Sequence, residues 1–205
     1  DNVQINSDLQ PNFDLVGHKE TIKQIKIQSP GIHSSFNAAC ALVVAESLTG
    51  QWLPEILESL PPAFGRGEKI ILGESEFKIL LVKNPAGMNL NLALIKSIKK
   101  VEAILFILND QIADGRDVSW IWDCDFEKFV GCQAKIYVAG SRRWDMALRL
   151  KYAGLEIIKV FENTEEMIEQ LSHENKHVIV LPSYTAMLEF RREIGKLTKV
   201  NRIHE

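Results

Sequence analysis

Residues 109–125 concentrate the polar chemistry of this 205-residue chain. They hold the aspartates Asp110, Asp114, Asp117, Asp123 and Asp125, with Asn109, Arg116, Trp120 and Trp122 among them. A core has no use for so many carboxylates, because an unpaired buried charge is very costly. A merely solvated loop has little use for two tryptophans. Carboxylates at this density can orient a histidine, act as a general base or hold a metal. Asp125 is also placed to cap a short helix over 126–130, and Arg116 is expected to pair with a neighbouring acid. The stretch follows a strongly apolar run, 103–108. A strand that ends in such a loop is where open α/β sheets place their sites, so this loop is read as the functional centre.

Three other junctions carry chemistry of lower specificity. Lys83-Asn84-Pro85-Ala86-Gly87 follows an apolar strand pattern and precedes a helical one. Backbone N–H groups and a lysine there make a ready anion site, and the same residues read equally well as a plain strand-to-helix turn. Gly140-Ser141-Arg142-Arg143 repeats the arrangement, with Ser141 as an N-cap and solvated arginines preferred over a phosphate site. In Ser183-Tyr184-Thr185, Thr185 reads as an N-cap. The chain has no GxxxxGK[ST] loop, no GxSxG elbow and no CxxC pair, so taken alone it lacks a nucleotide-hydrolysing engine. Cys40, Cys124 and Cys132 are odd in number and fit no zinc-ribbon spacing, which reads as free thiols. The five histidines form no HExxH motif. His173 and His177 flank a polar segment and are read as loop residues before a strand, not as metal ligands.

The elements that must position these residues change character along the chain. Residues 1–30 are polar, with alternating pieces at 13–16 and 22–27, the pattern of exposed or edge strands. An alanine-rich, nearly all-apolar helix follows over 34–48, with Ser34 or Ser35 as N-cap and Thr49-Gly50 as its stop. A helix apolar nearly all round is expected to be buried on several sides. A short helix from Pro54 ends at Pro61-Pro62, and Phe64-Gly65-Arg66-Gly67-Glu68 reads as an interdomain linker. From Lys69 onward strands and helices alternate. Strands are predicted at 69–72, 77–82, 103–108, 135–139, 156–161 and 178–181. Helices are predicted at 88–99, 126–130, 141–153, 164–171 and 185–194. That rhythm predicts a Rossmann-like α/β domain, with a mostly parallel sheet covered by helices on both faces.

Composition bounds the rest. The chain is 46% apolar and 25% charged, with a formal net charge of −3, which offers no electrostatic argument for nucleic acid or an anionic membrane. No run approaches the ~18 apolar residues of a membrane span. The first residues, Asp1-Asn2-Val3-Gln4, carry neither a signal pattern nor an initiator Met, so the chain is expected to be processed or a fragment.

Taken together, the motifs resemble a known family. Gly31-Ile32-His33-Ser34-Ser35-Phe36-Asn37-Ala38-Ala39, Phe64-Gly65-Arg66-Gly67-Glu68 and Lys83-Asn84-Pro85-Ala86-Gly87 look like the junction of the central and C-terminal domains of Mur ligases. The aspartate loop, with Asp145 to Gly154 and Leu181 to Leu188, is more specific. It resembles the MurT family, the Mur-ligase-like subunits of lipid II isoglutaminyl synthase. On this resemblance residues 1–67 are the remnant of an ATPase central domain plus linker, and 68–205 the C-terminal domain. The family implies ATP- and magnesium-dependent amidation of the α-carboxylate of D-glutamate in the lipid II stem peptide, at the cytoplasmic face of the membrane. Ammonia would come from a GatD-like glutaminase partner. An aspartate of the C-terminal domain is implied to complete the partner's triad, with Asp117 ranked first and Asp114 second. Asn37 would meet the adenine and Arg66 the ribose of ATP, while Lys83 and Asn84 would face the interdomain cleft.

The departures from the Mur pattern are specific. Ser34 stands where an asparagine is expected, and Leu80 where many ligases carry aspartate, the latter in keeping with MurT-like sequences. The family's P-loop, magnesium ligands and four-cysteine zinc ribbon have no counterpart in these residues, which implies a C-terminal fragment inactive alone as an ATPase. Two other readings are kept: a non-catalytic Rossmann-like module that docks a glutaminase-type partner, and a nucleotide-binding domain built on Lys83 and the Gly140-Ser141-Arg142 turn.

Overall fold

A computed structural model describes residues 1–6, 8–17, 20–62, 65–98 and 100–199. The chain divides into two compact units, Asp1–Arg66 and Gly67–Glu205.

In the first unit, β1 (Gln4–Ile5), β2 (Pro11–Val16) and β3 (Thr21–Lys26) form an antiparallel sheet in that order. The period-two alternation turns Phe13 and Ile25 inward, where they meet Ala38 and Leu42 of α1 (Ile32–Thr49). Trp52 and Leu57, the latter in α2 (Pro54–Ser59), close the edge of this small core. Helix α1 departs from its sequence reading twice. Gly31, with φ of 87°, holds the cap position, and Ser34 turns its hydroxyl back to the carbonyl of Pro30 at 2.7 Å. Local hydroxyl-to-carbonyl bonding of this kind competes with capping. Nor is the helix enclosed: within the unit it buries only Ser34, Ser35, Ala38 and Leu42. Ile32, Phe36, Cys40, Val44 and Leu48 lie at four-residue intervals and are exposed, Phe36 to 65% and Leu48 to 80%.

In the second unit six strands form one sheet: β4 (Arg66–Leu72), β5 (Ser75–Leu80), β6 (Ala103–Ile107), β7 (Lys135–Ala139), β8 (Ile157–Val160) and β9 (His177–Pro182). Their spatial order is β4-β5-β9-β6-β7-β8. The contacts β5–β9, β9–β6, β6–β7 and β7–β8 are all parallel. The two-residue turn Gly73-Glu74 returns β4 beside β5, which only an antiparallel pair accommodates. Arg66 to Glu68, read from sequence as linker, are therefore already strand, while Phe64 lies outside the described residues. Glu68 is held there by a bidentate pair with Arg191, at 2.8 and 2.7 Å, between two largely buried side chains.

The helices of this unit are α3 (Pro85–Lys96), α4 (Arg143–Tyr152), α5 (Thr164–Glu174) and α6 (Tyr184–Ile194). Side chains of β6 alternate between two helical layers, which is why all five of its residues are buried and apolar. Ile104, Phe106 and Leu108 pack with Met88 and Leu92 of α3 and Met146 and Leu150 of α4. On the opposite face Phe77 meets Phe190 of α6 at 5.9 Å and Tyr137 stacks on Phe161 at 5.8 Å. The predicted helix over 126–130 is a 3-10 turn, Phe126–Phe129, preceded by a second one, Ser119–Asp123, that sequence periodicity did not show. These two turns cross from β6 to β7 where the other crossovers use a helix. His173 lies in α5 and His177 opens β9, so neither is a loop residue.

Candidate functional site

The carboxyl ends of β6 and β9 lie side by side, and their outgoing chains leave toward opposite faces. That is the crevice where open α/β sheets take ligands. Here the protein fills it with its own polar groups. Asn109, 3% exposed, is the hub. Its backbone N–H donates to Ser183 Oγ at 3.0 Å, and its Nδ2 donates to Thr185 Oγ1 and Glu189 Oε2 at 3.2 and 3.1 Å. Its Oδ1 accepts from the N–H of Ser141 at 2.9 Å. One side chain thus joins the loop after β6 to the turn before α4 and to the start of α6. Sequence spacing could not show it, since the partners are 32 to 80 residues away.

The β7–α4 turn is consumed in the same way. Arg142 N–H donates to Leu108 O at 2.9 Å, and the Arg142 guanidinium binds Asp145 at 2.7 and 2.9 Å and Asp110 at 3.3 Å. Ser141 donates its hydroxyl to Asp110 at 2.9 Å rather than capping α4, whose cap position is Arg142. The Ser141 hydroxyl first, and then Arg142, hold the Asp110 carboxyl below its usual range. A phosphate would find these donors already taken. The close approach needs Gly140: at φ of 101°, a Cβ there would stand 2.3 Å from Leu108 O. Gly140→Ala should therefore cost about 2–4 kcal/mol, from left-handed backbone strain plus overpacking. Urea denaturation measures it, and a loss below 1 kcal/mol would show that the turn relaxes freely.

The two aspartates singled out for catalysis have different surroundings. Asp114 accepts from the N–H and hydroxyl of Thr185, at 2.8 and 2.5 Å, and from the N–H of Gln111 at 3.2 Å. The N–H of Thr185 is an orphan donor of the first turn of α6, a position that favours a carboxylate. Thr185 is thus not the N-cap; Ser183 is, and its side chain makes no capping bond. Asp117 is exposed, and its Oδ1 accepts the N–H of Ser119 at 2.8 Å. The Ser119 backbone N–H first, then the hydroxyl, lower its pKa, so it is ionised at neutral pH. Asp125 does not cap the 3-10 turn but pairs with Lys128 at 2.5 Å. Among the described residues the exposed Asp123 side chain has no hydrogen bond or ion pair, and Arg116 makes no ion pair, contrary to its expected pairing.

The 3-10 segment behind the loop hangs on Arg149, which sequence reading overlooked. Its position offered a signal: a lone arginine among Met146, Leu150 and Ala153, on the inward face of α4. Its side chain is 5% exposed and donates to Ile121 O at 3.2 Å, Cys124 O at 2.6 Å and the Glu127 carboxylate at 2.8 Å. The guanidinium lies over the rings of Phe126 and Trp122, 5.1 and 5.5 Å from their centroids. Trp120 packs on the core. Trp122 meets Tyr152 edge-on at 5.7 Å, and with Trp144, Leu148 and Tyr152 it forms an exposed apolar stripe along α4. Burial pushes the Cys124 thiol up to about 12, so it is no nucleophile. Alkylation at pH 8 should label the exposed Cys40 and Cys132 and spare Cys124 until the protein unfolds. Equal labelling of all three, read by mass spectrometry, would contradict this burial.

The residues assigned to the nucleotide lie on both units. Asn37 is exposed on α1, and Arg66 is exposed with no ion pair among the described residues. Burial first, then the Arg66 charge, hold the His33 imidazole below its ordinary value and thus neutral near pH 7. Lys83 is exposed, its Nζ 5.6 Å from the Tyr184 ring. The Asn84 side chain is engaged: it caps α3 through Gly87 N–H at 2.8 Å. Asn37, Arg66 and Lys83 thus have polar ends available to a ligand. Among the described residues no cluster of three or more His, Cys, Asp or Glu side chains is arranged to hold a metal, and no helix is long and apolar enough to cross a membrane.

This architecture is that of the Mur ligases. The chain is similar to MurF from Acinetobacter baumannii with a TM-score of 0.67, over 96% of this chain and 43% of that one, at 18% identity. A family model described as MurT ligase C-terminal matches residues 81–187, and the chain belongs to that family. It is 34% identical over 171 residues to the MurT subunit of the glutamine-hydrolysing lipid II isoglutaminyl synthase of Streptococcus pneumoniae. It is 31% identical over 170 residues to the Staphylococcus aureus counterpart. These matches cover 80% and 81% of this chain. The chain spans about two fifths of the length of each relative, 38% and 39%.

Proposed function

We propose that this chain is the C-terminal part of a MurT-type subunit of lipid II isoglutaminyl synthase, and that Asp117 is its contribution to a glutaminase site on a GatD-like partner. The observation that carries the reading is the division of labour in the loop. Asp110, Asp114 and Asp125 are spent on internal bonds. Of the loop's acids Asp117 combines exposure with a fixed orientation, its Oδ1 pinned by the Ser119 N–H. An acid in that state can hold an imidazole in the right tautomer and stabilise the imidazolium that forms during thiol attack on glutamine. It needs no nucleophile of its own, which fits a loop with none nearby.

Residues 1–67 are then the end of the central ATPase domain plus linker, and 68–205 the C-terminal domain. The exposed stripe of α1 supports this reading, as a helix face built to lie under more of the same domain. ATP and its magnesium would be bound mainly by the remainder of the central domain, with Asn37 meeting the adenine and Arg66 the ribose; in the second unit Lys83 would offer its ammonium and Asn84 caps α3. ATP, when bound, supplies the phosphoryl group that turns a carboxylate oxygen of D-glutamate in lipid II into a leaving group for ammonia. The zinc ribbon implied for the family would belong to the remainder of the central domain.

Glutamine hydrolysis by the reconstituted complex tests the reading. Asp117→Asn abolishes it, while Asp123→Asn, an equally exposed acid six residues on, leaves it intact. One observation favours a second reading, the docking module: the aromatic stripe Trp122, Trp144, Tyr152 has the residue types of interface hot spots. Under that reading Asp117→Asn hydrolyses glutamine at the wild-type rate, while Trp144→Ala with Tyr152→Ala releases the partner.

A further inference from the structure

The loop that carries Asp117 has little to hold it in place. Gln111, Ile112, Ala113, Gly115, Arg116 and Asp117 are all exposed. Its own backbone bonds are two, Asp114 N–H to Gln111 O and Gly115 N–H to Ile112 O. A segment with few buried contacts opens locally at small free-energy cost. An orienting acid has to sit within roughly 0.5 Å of its productive position. Something outside the loop must supply that precision.

We infer that Thr185 is a positioning residue for Asp117, acting through Asp114. The inference rests on the proposed role of Asp117 in glutamine hydrolysis. Asp114 lies three residues before Asp117, at the close of the loop's only turn. Thr185 gives both oxygens of its carboxylate a donor, backbone N–H to Oδ1 and hydroxyl to Oδ2. The same hydroxyl accepts from Asn109 Nδ2, so Thr185 clamps the loop at its origin and its midpoint together. It can do so because its backbone belongs to the first turn of α6, which is anchored by the buried Ala186, Met187 and Phe190. The far end is closed by buried Val118 and by the bond from Ser119 to Asp117 itself. Between these anchors only Gly115 and Arg116 are left to move. Asp114, ranked as an alternative catalytic acid from sequence, is on this account the lever and not the acid.

The test uses the full-length subunit in complex with its glutaminase partner, with glutamine as the probe. Thr185→Val keeps the shape and the backbone N–H but removes the hydroxyl. It should lower kcat for glutamine hydrolysis about 10–100-fold, the scale of a small misplacement, with KM and partner affinity unchanged. Thr185→Ser, which restores the hydroxyl, should recover most of the rate. Because Thr185 acts through Asp117, adding Thr185→Val to Asp117→Asn should cost nothing further. In parallel, amide exchange of residues 115–118 should quicken in Thr185→Val and not in Thr185→Ser. A Thr185→Val complex at the wild-type rate beside an inactive Asp117→Asn complex overturns the positioning role and leaves the Asp117 reading standing. Loss of partner affinity in Thr185→Val, failure of serine to rescue, or additive losses in the double variant overturns it as well. Wild-type hydrolysis by Asp117→Asn overturns both.

Discussion

Replacing Asp117 with asparagine in the reconstituted complex should lower kcat for glutamine hydrolysis by about 10^4-fold, the loss seen when a triad acid becomes an amide that favours the wrong imidazole tautomer. Asparagine fits the same space, and its side-chain oxygen can still accept the Ser119 N–H. Folding and assembly should therefore be unchanged. The loss should fall on kcat with little change in KM, because the acid acts on the partner's histidine and not on glutamine. Ammonia supplied directly should restore amidation, since only its source is broken. Loss of amidation even with free ammonia would place Asp117 in the ligase half of the reaction instead. Asp114→Asn should behave differently. It removes acceptors from Thr185 and Gln111, so its effect should include looser packing of the loop.

Arg149→Ala should destabilise the C-terminal unit by about 3–5 kcal/mol, the range for breaking a buried charged network. Two carbonyls, of Ile121 and Cys124, keep one backbone N–H each but lose a charged donor, and a hydrogen bond to a charged group is worth about 1.5–3 kcal/mol. The rings of Trp122 and Phe126 lose the guanidinium between them. Glu127 adds little, because it is 58% exposed and a solvated ion pair is worth about 0–1 kcal/mol. Glu127→Gln should therefore be nearly silent. Arg149→Lys should recover only part of the loss, since an ammonium cannot reach three acceptors in a fixed fork. Thermal unfolding should show a drop of roughly 10 °C for Arg149→Ala at this domain size. An unchanged melting temperature would mean the 3-10 segment is held by Trp120 and Phe126 alone.

The parallel sheet was legible because its central strands are apolar on both faces. The run at Ile104, Leu105 and Phe106 admits few other readings once both faces are covered. The first unit was legible in its strands and less so in α1. Its apolar residues run all round the helix, so the sequence could not say which face stays bare. The 3-10 crossing at Ser119–Asp123 escaped because a five-residue turn has too few repeats to show a period. Arg149 and Asn109 escaped for another reason: their partners are carbonyls and hydroxyls far along the chain, and no local pattern encodes a contact across 25 or 74 residues. Thr185 shows the same limit. Its place before a helical run suggested a cap, but its hydroxyl is drawn to Asp114, 71 residues earlier. The motif brought Asp114 and Asp117 forward together, and only their hydrogen-bond partners separate them, one turned inward to α6 and one outward to solvent.

The most direct measurement is a structure of the full-length subunit bound to its glutaminase partner. The account predicts a carboxylate oxygen of Asp117 within about 2.6–3.2 Å of an imidazole nitrogen of the partner's hydrolytic site, the reach of a working hydrogen bond. Asp114 should remain on Thr185. A structure in which that histidine meets an acid of the partner's own chain, with Asp117 left in solvent, would contradict it.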